Sequence, residues 1–133
     1  MEREGKPVLG AISFPALDEI VGAAEGEGTA WNGRRVRVSQ CASLDKALLL
    51  CTDYSHFPNA GKQAAFERLS RATALQRTWG DCYGHALVAT GRIECQVDPQ
   101  MKPWDAGPFL PITTEAGGKF TTAGGAPANY IAK

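Results

Sequence analysis

The sequence predicts an α+β (mixed α/β) fold, an N-terminal β-meander followed by a mixed sheet with helices. Three observations predict it. Short apolar runs separated by turn residues crowd the first 40 residues. Ala47-Leu48-Leu49-Leu50-Cys51-Thr52 is a continuous apolar run, the pattern of a strand buried on both faces. After it, segments of helical and of strand period alternate.

In chain order, Val8-Leu9-Gly10-Ala11-Ile12-Ser13-Phe14 reads as a strand that stops at Pro15. Leu17 to Ala24 reads as a second strand, and Thr29-Ala30-Trp31 as a short third. Asn32-Gly33 is a hairpin signal because both residues tolerate positive φ, and Arg35 to Val38 returns as the fourth strand. Ser43 is placed to cap a short turn before the buried strand. Ala65, Phe66, Leu69, Ala72 and Leu75 recur at three-to-four spacing and predict a helix from Lys62 to about Gln76. Arg77-Thr78-Trp79 reads as a short strand. A second helix spans about Cys82 to Thr90, with Gly91 at its C-cap. Ile93 to Val97 alternates as a strand. A third helix starts near Asp105 and ends before Gly117-Gly118, and Lys119 to Thr122 is the last strand. The small, polar tail from Ala123 is expected to fray. The organisation is thus one domain over residues 1–133: a meander over 1–40, an α/β portion over 41–122 and a tail over 123–133.

Composition narrows the function classes. The chain has 133 residues, of which 44% are hydrophobic and 21% charged, the balance of an ordinary globular domain. Its 14 basic and 14 acidic residues cancel, which removes the electrostatic ground for a nucleic-acid or anionic-membrane partner. Arg34-Arg35-Val36-Arg37 reads as the solvent face of a strand whose Val36 and Val38 point inward. Cys41, Cys51, Cys82 and Cys95 lack the paired spacing of a zinc site and read as free buried thiols in a reducing, cytoplasmic setting. Met1 to Lys6 lead directly into a strand pattern, without the apolar core of a signal peptide, and no apolar run reaches membrane-spanning length.

Several ordered motifs then carry a resemblance. Pro103-Trp104-Asp105 is followed by Glu115-Ala116-Gly117-Gly118, with ten residues from Asp to Glu. Upstream lie Gly10 to Glu19, a strand-Pro-x-x-Asp-Glu hairpin, and Gly28-Thr29-Ala30-Trp31-Asn32-Gly33 with Val38-Ser39 after it. Trp79-Gly80-Asp81-Cys82-Tyr83-Gly84 and Val88-Ala89-Thr90-Gly91-Arg92 complete the set. Together they resemble the C-terminal half of the inositol monophosphatase family over about Gly5 to Thr122. Gly80-Asp81-Cys82-Tyr83, where Gly-Ser or Gly-Thr is more usual, and Asp98-Pro99 resemble its histidinol-phosphatase-type branch.

The resemblance implies a partial domain of a magnesium-dependent phosphomonoesterase acting on histidinol phosphate, inositol phosphate or a sugar phosphate. Magnesium requires clustered hard oxygen ligands, and Asp105 is the residue that matches a family metal ligand. By pattern alone Asp105 is a helix N-cap. Asp98 matches the position that contacts a substrate hydroxyl or amine; by pattern it is equally a turn residue before Pro99. Gly80, Asp81 and Cys82 match the substrate-facing loop at a helix N-terminus, where Asp81 also reads as a cap and Cys82 as packing. His85 reads as a core or surface histidine, and His56 as a loop residue without a partner. Trp104, Glu115 and Gly117-Gly118 read as packing, helix-end and turn residues. The family's remaining ligands lie in a Gly-Glu-Glu and an Asp-Pro-Ile-Asp-Gly-Thr motif, and neither occurs in this sequence. The tail departs too, with Thr121-Thr122-Ala123-Gly124-Gly125 where the family has an Asp and a closing helix. No complete catalytic set is therefore expected, and stable magnesium binding and turnover by this chain alone are not expected. Bare strand edges predict a homodimer or a complementing half-domain. The alternative is a repurposed ligand-binding or self-associating module.

Overall fold

The computed structural model describes residues 1–126. A two-residue ladder of β1 (Glu2–Arg3) and β2 (Lys6–Pro7) opens the chain. The meander follows as β3 (Leu9–Phe14), β4 (Glu19–Ala24), β5 (Gly28–Trp31) and β6 (Arg34–Val36), an antiparallel sheet in that order. The second expected strand starts two residues late, because Pro15–Leu17 form a 3-10 turn closed by Asp18 at φ 51°. Asn32 and Gly33 both adopt positive φ, 47° and 75°, as the hairpin signal requires. The Asn32 amide also donates to the Asp18 carbonyl and accepts from the Ile20 amide, at 2.8 Å each, so one side chain holds two turns together. Arg34, Arg35 and Arg37 are exposed while Val36 and Val38 are half-buried, the alternation expected of a solvated strand face.

The second part contains β7 (Leu48–Cys51), α1 (His56–Asn59), α2 (Gln63–Ala72), β8 (Leu75–Thr78), α3 (Asp81–Ala89), β9 (Cys95–Gln96), α4 (Pro103–Ala106) and α5 (Phe109–Glu115). Its sheet is parallel, in the order β8-β7-β9. The apolar run thus becomes the central strand, with Leu49 and Cys51 fully buried. Helix α5 packs on the inner face of the meander and on α3, and α3 in turn reaches β9. Two apolar clusters result. Val21, Ala23, Ala86, Ala89, Ile112 and Ala116 join the meander to α3 and α5; Leu49, Cys51, Phe57 and Phe66 lie under α1 and α2.

Three helix expectations shift. The first helix ends at Ala72 rather than Gln76, because Thr73 is extended and Leu75 and Gln76 pair with Leu48 and Leu49. Its expected apolar stripe contracts to buried Phe66 and half-buried Leu69, with Ala65, Ala72 and Leu75 exposed. The expected third helix is two: α4 ends at Ala106, and Pro108 is the N-cap of α5 rather than a residue inside a helix. Pro111 is tolerated in the first turn of α5, where its missing N–H has no helical partner to lose. Of the expected last strand only Thr121 forms a bridge. Ala123 to Ala126 form turns and bends, and the rest of the expected fraying tail lies outside the described residues.

Gly10 and Glu115 lock the two parts together. A β-carbon on Gly10 would stand 2.2 Å from the Pro108 carbonyl oxygen, so strand β3 passes the start of α5 at backbone distance. The Glu115 carboxylate accepts from the Gly26 and Gly28 amides at 3.0 and 2.8 Å, and the Thr29 hydroxyl donates to the Ile112 carbonyl at 2.7 Å. The helix-end residue read from the sequence is therefore a cross-brace.

Candidate functional site

Two residues past β9, Asp98 lines a cavity of about 1080 Å³ between α1 and α2 on one side and the 119–123 segment on the other. Phe57, Phe66 and Val97 supply apolar wall, while His85, Asp98 and Asp105 supply polar groups. The two carboxylates singled out in the sequence, Asp98 and Asp105, meet here. Gly80, Asp81 and Cys82 do not line this cavity.

Asp98 is nearly buried, with its side chain 10% exposed, and donors from three residues converge on it. Its Oδ1 accepts from the Thr52 amide at 3.0 Å; its Oδ2 accepts from Gln96 Nε2 at 2.9 Å and from His85 Nε2 at 3.0 Å. Burial raises the carboxyl pKa, but the hydrogen bonds from His85, Gln96 and Thr52 outweigh it and hold Asp98 down at about 2. His85 is itself 6% exposed, stacked on Phe109 at 4.3 Å between ring centroids and edge-on to Phe120 at 5.9 Å. Of the core and surface readings that the sequence left open for His85, the buried one holds, and its imidazole is committed to Asp98. Sequence reasoning missed that pair. Thirteen residues separate its members, and the third donor is a backbone amide, which leaves no trace in residue identity.

Asp105 is exposed at the third position of α4. It is therefore not the N-cap that the pattern suggested, since Lys102 holds that place; instead its Oδ2 accepts from the Lys102 amide at 3.3 Å. Trp104 is 74% exposed, which corrects the packing role expected of it. Gly80 is the N-cap of α3, and Asp81 begins that helix at φ 51°, a left-handed conformation that costs a non-glycine residue about 1 kcal/mol. Burial pushes the half-buried Cys82 thiol up, a backbone hydrogen bond opposes this, and the charges of Asp81 and Asp105 push it further up. That coupling puts Cys82 within electrostatic reach of Asp105 and argues against a thiolate nucleophile. Cys41 departs from the buried-thiol expectation, being exposed, whereas Cys51 is buried and all four thiols are free.

One exposed carboxylate does not fit the magnesium cluster that the resemblance implies. Among the described residues no three of His, Cys, Asp or Glu come together as a metal site, and an octahedral hard cation needs more oxygen ligands than Asp105 offers.

A profile described as the inositol monophosphatase family matches residues 1–133. The chain belongs to the inositol monophosphatase family. Its curated relatives include a histidinol-phosphatase of Chlorobaculum parvum, 42% identical over 118 residues that make up 89% of this chain and 46% of the relative. A fructose-1,6-bisphosphatase/inositol-1-monophosphatase of Thermotoga maritima is 37% identical over 130 residues, 97% of this chain and 49% of that one. Among solved structures, an inositol monophosphatase of Zymomonas mobilis superposes with a TM-score of 0.91 at 28% identity, covering 98% of this chain and 51% of that one. This inositol monophosphatase-family chain thus spans about half the length of the relatives it matches, and over that half it keeps their shape.

Proposed function

We propose that this chain is the substrate-facing part of a phosphomonoesterase of the inositol monophosphatase family and does not turn over alone. In this reading Asp105 is one metal ligand among several, the others coming from a complementing half-domain. Asp98 receives a hydroxyl or amine of the substrate, and Gly80, Asp81 and Cys82, outside the cavity wall but with Cys82 in electrostatic reach of Asp105, contact it from the start of α3. The observation that carries the reading is that Asp98, two residues past β9, and Asp105, in α4, line one cavity in a chain of this family. Names among the relatives, histidinol-phosphatase and fructose-1,6-bisphosphatase/inositol-1-monophosphatase, favour a small phosphorylated alcohol as substrate. Among the described residues no helix is long and apolar enough to cross a membrane, which is compatible with the cytoplasmic setting we favour.

A phosphate-release assay with magnesium tests the proposal on histidinol phosphate and on inositol phosphate. We expect no release by the purified chain, and release once the unmatched half of the Chlorobaculum parvum relative is added. Turnover by the chain alone would overturn it.

The second reading, a non-catalytic self-associating module, is favoured by exposed Leu9, Ile20, Trp79 and Trp104, 41%, 50%, 54% and 74% exposed. Light scattering at micromolar concentration separates the two: a homodimer is expected under the second reading, and a monomer would discard it.

A further inference from the structure

Among the described residues, one strand edge is left unguarded. The outer meander strand β6 carries exposed Arg34 and Arg35. The outer strand β8 carries exposed Arg77, whose guanidinium also donates to the Gln76 carbonyl at 2.8 Å. Strand β9 is two residues long, and the equally short β1 and β2 hold Glu2, Arg3 and Lys6. Charges and brevity of this kind keep edge strands from pairing with other chains. Strand β3 has neither. It runs for six residues, and the sequence from Pro7 to Leu17 holds no charged side chain.

The backbone of β3 shows which of its groups are free. Leu9 turns its amide and carbonyl away from β4 and toward Met1, at 3.4 and 2.9 Å. On the β4 side the Val8 carbonyl accepts from the Glu25 amide at 2.9 Å. Peptide groups alternate in direction along an antiparallel strand, so Ala11 and Ser13 face outward with Leu9, while Ile12 faces Val21 of β4. Met1 closes this free edge at one end, and Pro15, which has no N–H, closes it at the other. Helix α5 already covers the inner face of the strand, so its edge is what stays open.

We infer that β3 is a self-association edge, which pairs antiparallel with β3 of a second copy about a two-fold axis at Ile12. In that register Ala11 exchanges both backbone bonds with Ser13 of the second copy, and Ser13 does so with Ala11. Between them the two Ile12 residues form the closer, non-bonded pair, each already packed on the core cluster of its own meander. A shift to Ala11 opposite Ala11 would set Ser13 against Leu9, which Met1 occupies; a shift to Ser13 opposite Ser13 would set Ala11 against Pro15. The closed ends therefore leave one register that uses every free group, and it is self-complementary. A second copy also brings no charge to the contact, whereas two β6 edges would oppose arginine to arginine. The inference rests on the self-associating reading but not on a lack of catalysis, because no meander residue lines the cavity of Asp98 and Asp105.

Sedimentation and hydrogen exchange on the chain test this. Between about 1 and 100 µM a monomer–dimer equilibrium is expected, as suits a small interface made largely of backbone. As the dimer fills, the Ala11 and Ser13 amides are expected to exchange more slowly, while the inward Ile12 amide stays constant. Ser13→Pro removes an outward N–H and leaves the ladder to β4 intact; it is expected to weaken the dimer about tenfold. Ala11→Lys, which sets a charge on the edge, is expected to act in the same direction. Protection of the Val21 amide in either variant checks that the meander has folded. Trp79→Ala and Trp104→Ala, which trim exposed rings elsewhere, are expected to leave the dissociation constant within about twofold. A dimer that survives both edge variants, or one that dissolves with Trp79→Ala or Trp104→Ala, would overturn the assignment to β3 and leave self-association standing. A chain that stays monomeric throughout would overturn both, and phosphate release would still decide the phosphatase reading.

Discussion

Asp98 keeps its charge in a nearly buried place because its donors arrive from three residues: Thr52 just past β7, the His85 imidazole of α3 and the Gln96 side chain of β9. Its pKa is lowered in the fold from 3.8 to about 2, so the contribution to stability is fully present above pH 3.8 and is lost as pH falls through about 2. The shift corresponds to about 2 kcal/mol. Urea denaturation between pH 5 and pH 2 should therefore show the wild-type chain losing about that much more stability than Asp98→Asn over the same interval. Trp104 lies at the other extreme. A side chain 74% exposed contributes little packing, so Trp104→Ala should alter stability by less than about 0.5 kcal/mol in the same assay. Residue identity made Asp105 visible, since a Trp-Asp pair at fixed distance from Glu-Ala-Gly-Gly is a linear pattern. It could not expose the environment of Asp98, where burial and a backbone donor set the chemistry.

Between elements, close backbone approach and one carboxylate do the joining. Glu115→Ala leaves the Gly26 and Gly28 amides without their acceptor and should cost roughly 1–3 kcal/mol in denaturant midpoint analysis. Glu115→Gln, which retains one acceptor oxygen, should cost about half as much. The meander was legible because each signal in it was local: Asn32-Gly33 for one turn, Pro15 for another, and alternation between them. The reach of α2 was not. Leu75 continues the helical spacing of Phe66 and Leu69, yet it stands in parallel register with Leu48, a contact 27 positions away that periodicity cannot register. The division of α4 from α5 was also hidden, since Gly107-Pro108 could begin, bend or end a helix, and the approach of strand β3 decides among these.

At the scale of the whole molecule, the chain holds the form of half an inositol monophosphatase, with apolar side chains left at its surface. If a complementing half covers them, Trp79 and Trp104 should report it. Adding the unmatched half of a relative is expected to shift tryptophan emission to the blue, and emission that stays put would count against coverage of these two rings. The Glu115 brace carries a further consequence, for synthesis. It joins residues 87 positions apart, so at roughly 5–20 residues per second the ribosome leaves the Gly28 amide waiting about 4–17 s for its acceptor. Throughout that interval the nascent meander has no α5 to lie against. Its Val21 and Ala23 face is then open to chaperones and proteases, and a stop codon before Phe109 would leave it so permanently.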